Sequence, residues 1–507
     1  MNPPEHGQYN PDRPKSYDLN NIPMRTQTHY WKTIEALSEA GLSKKNKAAI
    51  TRSTGISRLP LCAASVAFTH PTFFPLDPFH LFYENCMAFM WDIWTVHSKI
   101  SDCVHFPEEK VKELGRLIPL AMTTLPPSFC GPIRDPYLKR QSQYKIYEWM
   151  ALLHWFILPI ATELSMNPLV IKNFSRFVEA IEFAMTIKSR NEDEIQYLHQ
   201  LIVRFLEDYE SIYIGQDPEK INRARLCIFQ LIHVPLHIQW NGSIRLGSQA
   251  TVERSIGEMG HKIRSKKAPF ANLANLIYQR ELVKILKLYY PAELSHSDAS
   301  TLESDNVQAI SINGPKLVQQ HNIAWTKLAE NSNFSVDLKA IAQYLGVQSE
   351  LLKDNIIGKW GKVKLKNGDM LCSQLSRKKT PSTRRSEWFQ APMTQTNPST
   401  PNGFNLIFGE ARAFYKVSEK FGNHILAVYT PLQEIKKIFH IPRGKWNPDT
   451  PMVLEVSSIQ SLVGIWVGIL SKEVYILRKH PGLQLLTQEE HGLESEELDT
   501  VNNTLLE

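Results

Sequence analysis

Asp77-Pro78-Phe79-His80-Leu81-Phe82-Tyr83-Glu84-Asn85-Cys86-Met87-Ala88-Phe89-Met90-Trp91-Asp92-Ile93-Trp94 is the stretch that decides the fold of the middle of this chain. Its apolar residues Phe79, Phe82, Tyr83, Cys86, Met90, Ile93 and Trp94 recur at helical spacing and form one face of a long helix, from Pro78 to about Lys99. Asp77-Pro78 is the start signal, because the carboxylate accepts an orphan N–H and proline has none to waste. Outward from here the same pattern returns at Glu108 to Ala121, Lys145 to Leu164, Pro168 to Ile187, Glu192 to Ile214, Asn222 to Trp240 and Gln249 to Tyr290. Turn residues at Leu125-Pro126-Pro127, Gly131-Pro132 and Gly215 to Pro218 separate these segments, so the middle is expected to be mostly α.

Past Lys353 the pattern changes to short runs rich in β-branched and aromatic residues: Trp360 to Leu365, Phe404 to Phe408, Ala411 to Val417, His424 to Tyr429, Val453 to Ser457 and Glu473 to Leu477. Lys366-Asn367-Gly368-Asp369 is a hairpin signal within them. The expected fold is therefore α+β, a large helical N-terminal and central region followed by a small β-rich domain. The expected boundaries are a proline-rich arm at 1–76 holding one helix near His29 to Ala40, a helical region at 77–300, a helical linker at 301–355, a β-rich domain at 356–485 and an acidic disordered tail at 486–507. The Ser-, Thr- and Pro-rich Lys378 to Asn402 is expected to be a loop.

The opening residues lack a basic region followed by an apolar one, which argues against a secretory signal. The most apolar stretches, Trp149 to Thr162 and Ile459 to Leu470, are shorter than the ~18 to 20 residues needed to span a bilayer. Six cysteines are scattered without a C-x-x-C pair, which suggests neither a zinc ribbon nor a disulfide framework and fits a reducing compartment. A net charge of +6 is modest for 507 residues, so the placement of charge matters more than its sum.

Asp77 and His80 stand one helical turn apart, with Glu84 one turn further on the same face. They either start and decorate a helix or shape a metal- or phosphate-bearing site. Glu253 is followed by His261, Lys262, Arg264, Lys266 and Lys267, the pairing of carboxylate and cations that a metal-dependent nuclease needs, or else an ordinary solvated helix. Leu338 to Leu352, with Gly346 at its centre, fits a helix-turn-helix whose second helix would be Ser349 to Ile357, or a plain helical hairpin. From Lys353 to Arg385 there are ten Lys or Arg against two acids, Lys362, Lys364, Arg377, Lys378 and Lys379 among them. That run could follow a phosphate backbone around Trp360 or form a solvated strand face.

Phe74-Pro75-Leu76-Asp77-Pro78-Phe79-His80-Leu81 with Trp91-Asp92-Ile93-Trp94 resembles a block of the CACTA (En/Spm-type) cut-and-paste transposases, in particular fungal forms. Further blocks agree in order: Leu125-Pro126-Pro127, Tyr147-Glu148-Trp149 and Leu158-Pro159, then Leu231-Ile232-His233 and Val252-Glu253-Arg254 with Gly257. More weakly, Phe408-Gly409-Glu410, Phe414-Tyr415 and Leu426-Ala427-Val428-Tyr429 are similar to the family's C-terminal pattern. The resemblance covers about Pro71 to Tyr290. It implies a helical insertion and a partial RNase H-like remnant, Glu253 as the last catalytic acid and metal ligand, and Asp77 and His80 as a D-x-x-H pair. It also implies Mg²⁺ where activity is retained, DNA as partner, a homo-oligomer as one possible state, and a nuclear location. The family's two earlier aspartates and their strands lie upstream of the D-x-x-H block. The residues before Asp77 are proline-rich and strand-poor, which leads us to expect an incomplete catalytic site. A non-catalytic DNA-binding or protein-interaction module is the alternative.

Overall fold

The computed structural model describes residues 19–20, 26–139, 144–249, 252–253, 256–257, 260, 263, 267–290, 316–320, 332–352, 356–377, 384–393 and 406–479. The acidic tail expected at 486–507 lies outside them. The chain divides into two compact units: Met1–Leu117, Ile133–Ser248 and His480–Glu507 form the first, and Ile118–Pro132 and Gln249–Lys479 the second.

Among its described residues the first unit is helical. α1 (Gln27–Ser38) starts where the Thr26 hydroxyl accepts from the His29 N–H, and α2 (Lys44–Thr54) starts where Ser43 accepts from Asn46 and stops at Gly55, whose φ is +71°. Tyr30, Ile34 and Leu37 of α1 pack with Ile56 and Phe68. The segment expected to be an arm therefore carries two helices and a small core of its own. A single amphipathic helix with aromatic residues downstream is enough to close it.

Asp77 starts its helix as expected, with Oδ1 accepting from the Phe79 N–H at 3.0 Å. Phe79–Met87 is π-wound and continues as α3 (Ala88–Thr95). A second π segment, Leu152–Phe156, joins α4 (Ile146–Ala151) to α5 (Ile157–Glu163). Here Pro159 lacks the N–H that a regular ladder would use, and the Ile157 N–H reaches back to the Leu152 carbonyl. α6 (Pro168–Met185) is capped by Asn167 with proline in its first turn, and α7 (Glu192–Tyr209) by an Asn191–Glu194 capping box. The two pack through Phe177 and Phe205, whose rings stack at 5.1 Å, while Asn173 Nδ2 donates to the Phe205 carbonyl at 2.9 Å. α8 (Val234–Asn241) follows, and the unit also contains the helix Leu226–Phe229 and most of the helix Glu108–Met122. No described helix is long and apolar enough to cross a membrane.

The second unit holds all of the described strands and confirms the α+β class. These are β1 (Lys316–Gln320), β2 (Ile356–Lys364), β3 (Met370–Cys372), β4 (Trp388–Pro392), β5 (Leu406–Val417), β6 (Ile425–Ile438), β7 (Ile441–Trp446), β8 (Met452–Glu455), β9 (Ser461–Val467) and β10 (Val474–Arg478). β5, β4, β9, β10, β7 and β6 pair in that order, and β6 returns to β5, which closes a six-stranded antiparallel barrel. Closure removes free edges from these six strands. Trp388, Phe408, Leu432, Val463, Ile465 and Ile476 form its core. β5 and β6 are long enough to serve a side sheet as well. β5 also pairs β2, which carries β1 and β3, and β6 also pairs β8. Register shifts at Ala411/Ala413 and at Gln433/Lys436 are the bulges that let such strands bend. The expected hairpin is present: Gly368, at φ +83°, turns β2 into β3, with Lys364 opposite Met370.

Three expectations are corrected in this unit. The Lys378 to Asn402 segment is not simply a loop, because the apolar Trp388–Pro392 pairs on both sides as β4. The helix-turn-helix has no recognition helix. After α9 (Ser332–Leu345), the second helix, α10 (Ser349–Leu352), is a single turn, and by Ile356 the chain is strand β2. α9 is instead a cover for the sheet, with Leu338, Ile341 and Ala342 packed on Ala413, Tyr415, Leu426 and Val428. The linker expected at 301–355 likewise contains β1.

Ile118–Pro132 joins this unit although it lies far away in sequence. Leu125 is fully buried, the Ile465 N–H donates to the Thr124 carbonyl, and the Arg384 guanidinium donates to the carbonyls of Leu125 and Pro126, each at 2.9 Å. A Cβ on Gly464 would come within 2.7 Å of Leu125 Cδ1 and 3.3 Å of its Cα, so a side chain there would force Leu125 to shift.

Candidate functional site

The helix start at Asp77 sets up a small polar array on the first unit. With Oδ1 used by the Phe79 N–H, Asp77 Oδ2 accepts from His80 Nδ1, and His80 Nε2 lies 3.4 Å from Glu84 Oε2. His80 is thus held between two carboxylates spaced by one helical turn on either side, which orients its ring. Asp77 spends both oxygens inside its own helix start.

Beside this array is an open cleft of about 520 Å³. Phe73 and Pro75 line one wall, and His237, Trp240 and Gly247 the other. No Asp, Glu, Lys or Arg is among the described residues that line it. Burial, with His233 nearby, pushes the His237 imidazole down to about 4, so it is neutral near pH 7. Its Nδ1 is buried without a hydrogen-bond partner, and its ring meets Trp240 edge-on at 5.4 Å. The walls touch at Gly247, where an added Cβ would lie 2.9 Å from the Leu76 carbonyl oxygen and from Pro75 Cβ. Gly247→Ala is expected to lower stability by about 1–3 kcal/mol through overpacking. Chemical denaturation measures it, and an unchanged midpoint would show that the walls part freely.

Within the same unit, the structure brings together groups that the sequence did not connect. Tyr83 and His154, one on each π segment, are buried, and the Tyr83 hydroxyl lies 2.9 Å from His154 Nε2. His154 Nδ1 faces Glu182 Oε1 at 3.6 Å. Burial, and then Glu182, raise the Tyr83 phenol, which stays protonated and donates to the imidazole. Arg245 is buried nearby, and burial lowers its guanidinium to about 10 against the pull of Tyr83. The available signal was His154 itself, a polar residue inside the most apolar run of the chain. Its partners lie too far along the sequence to be guessed.

Glu253 is exposed and helical and belongs to the second unit, whereas Asp77 and His80 belong to the first. Lys267 is exposed, and Lys262, Arg264 and Lys266 lie outside the described residues. Lys362 and Lys364 share one face of β2, the first half-buried and the second exposed. Lys378 and Lys379 lie outside the described residues. Arg377 is engaged within the fold: its guanidinium binds the buried carboxylates of Glu387 and Glu410, with Nε 2.9 Å from Glu387 Oε1 and Nη2 2.6 Å from Glu410 Oε1. Lys359 is buried against Asp337 at 4.0 Å, and Arg384 is used on backbone carbonyls. Three of the ten cations in the basic run are therefore committed to folding.

Among the described residues no group of three or more His, Cys, Asp or Glu side chains is placed to hold a metal ion. The fold and site define an α+β chain of two units, with a cleft in a helical first unit and a closed barrel in the second. In comparisons with known proteins, no family model, no curated protein and no solved structure matches it.

Proposed function

We propose that this chain is a transposon-derived, DNA-binding protein that resembles the C-terminal part of a CACTA-type cut-and-paste transposase and does not cleave DNA by itself. One observation carries the proposal. The segment around Phe74 to Leu81, which resembles the family's D-x-x-H block, packs against the stretch that follows Leu231-Ile232-His233, with Gly247 against Pro75 and Leu76 at one cleft. The RNase H-like remnant implied by the resemblance has no support in the fold, since among the described residues no strand precedes Lys316.

The Mg²⁺ chemistry of the family does not fit the donors as arranged. Asp77 is spent on a helix cap and on His80, Glu253 is exposed, and among the described residues no group of three or more His, Cys, Asp or Glu is placed to hold a metal ion. The role left to Lys262, Arg264, Lys266 and Lys267 is phosphate contact, in a protein that acts in the nucleus. The exposed apolar side chains of the helix Pro269–Tyr289, Phe270, Tyr278, Leu288 and Tyr289 among them, offer a surface for a homo-oligomer of the same protein.

Fluorescence anisotropy with a labelled duplex tests this. Binding is expected at ~50 mM salt and should weaken linearly in log–log form, with a slope of about −0.9 per phosphate neutralised. Changing Lys262, Arg264, Lys266 and Lys267 together to Gln should flatten that slope by about four. Absence of binding at ~50 mM salt would sink the proposal. Mg²⁺-dependent nicking that is abolished by Glu253→Gln would overturn its non-cleaving part.

A further inference from the structure

Cys86 and Cys227 are far apart in sequence and neighbours in the fold. Cys86 is fully buried on the π-wound Phe79–Met87, and Cys227 is partly exposed on the short helix Leu226–Phe229. The Cys86 thiol donates to the Cys227 backbone carbonyl at 3.3 Å, so its sulfur lies against the residue whose own thiol it would join. Arg225 is fixed just before Cys227 by packing over the Phe89 ring at 4.3 Å, which keeps a guanidinium close to the Cys227 side chain.

We propose that Cys86 and Cys227 are a reactive dithiol that hydrogen peroxide converts to an intramolecular disulfide, with Cys227 as the attacking residue and Cys86 as the resolving one.

The environments of the two thiols separate these roles. The neighbouring Cys86 side chain first, then the Ile228 N–H and Arg225, outweigh burial and hold the Cys227 thiol down at about 7. Burial pushes the Cys86 thiol well above its usual value, so it waits as the neutral partner. The Cys227 thiolate attacks one peroxide oxygen, the O–O bond breaks, and the departing hydroxide takes up a proton to become water. Cys227 is then a sulfenic acid. The Cys86 sulfur attacks the Cys227 sulfur, the S–O bond breaks, and a second water leaves with the Cys86 proton. Two thiols lose two electrons and two protons, and one peroxide becomes two waters. The new bond ties the helix that carries Asp77, His80 and Tyr83 to the segment leading into Leu231 to His233.

The test uses the full chain, reduced, desalted and exposed to hydrogen peroxide, then alkylated with iodoacetamide and mapped without reduction. The expected product is a peptide pair joined through Cys86 and Cys227, lighter by two hydrogens than its parts and separated by dithiothreitol. Exposed Cys103 should remain alkylated in the same sample. Cys227→Ser and Cys86→Ala should each lose the linked pair, and Cys86→Ala should also slow the alkylation of Cys227, because it removes the contact that holds that thiol down. Because the wild-type map carries the result, poor folding of either variant leaves the test intact. A wild-type map with no linked pair, Cys227 alkylated as fully as Cys103, overturns the proposal. So does an alkylation profile for Cys227 with its midpoint near the ordinary thiol value of about 8.5.

Discussion

Glu148→Ala is expected to destabilise the first unit by about 3 kcal/mol, read as a shift in the urea midpoint. Glu148 is completely buried, and its carboxylate does three things at once. Oε1 accepts from the Arg134 backbone N–H at 3.0 Å and from Arg134 Nε at 2.7 Å, and Oε2 accepts from the Lys145 N–H at 2.7 Å, closing the cap of α4. Removing it leaves two backbone donors and one guanidinium without their acceptor. Burial alone would raise this carboxyl, but the Arg134 guanidinium and the two N–H groups together bring it below its usual value. The sign follows from that depression: the stabilisation is fully present above the unfolded value of about 4.3 and is lost as pH falls through the lower folded value. Wild-type stability should therefore fall faster than that of the variant below about pH 5. Parallel pH profiles would show that Glu148 contributes packing alone.

Arg377→Ala is expected to cost the second unit about 3–5 kcal/mol, because it strands two buried carboxylates with one change. Glu387 and Glu410 are 4% and 5% exposed, and both meet the Arg377 guanidinium. Burial already raises the Glu410 carboxyl against the pull of Arg377, so without the arginine it rises further. A raised folded value means stability that is present at low pH and lost as the group ionises on going up. The variant should thus recover part of its loss at mildly acidic pH, and Glu410→Gln in the same background should recover part of it at neutral pH. If melting curves show the loss to be the same at pH 5 and pH 8, the carboxylates are not its cause.

Arg377 also shows what sequence can and cannot reveal. As one of ten cations in a run it looked available to a phosphate backbone, yet its partners, Glu387 and Glu410, are supplied by the start of β4 and by β5. Charge counting does not see pairing across a sheet. Helices with a one-sided apolar face, such as Phe79 to Trp94, were legible because their periodicity is local, as was the Asn367-Gly368 hairpin. β7 was not, since Pro442, Arg443 and Gly444 break any alternation. β9 was not either, because Ser461–Val467 has almost no exposed face and reads as one apolar run. Of the polar groups of the first unit, Asp77 and His80 were legible as a pair one turn apart. Tyr83 with His154, and Cys86 with Cys227, were not, because only the fold brings each pair together.

The burial of Leu125 beside Gly464 has a consequence for how the protein is made. Thr124 bonds to Ile465 across a separation of 341 residues, so this segment leaves the ribosome on the order of tens of seconds before the strand it docks on. Barrel closure must wait for β9 and β10, and Leu125 is an apolar side chain with no place to go until then. Translation speed and chaperone occupancy over that interval should govern yield more than the stability of the finished barrel. For the same reason, a recombinant fragment beginning at Gln249 would leave an open slot at Gly464, whereas supplying Ile118–Pro132 as a separate peptide should fill it.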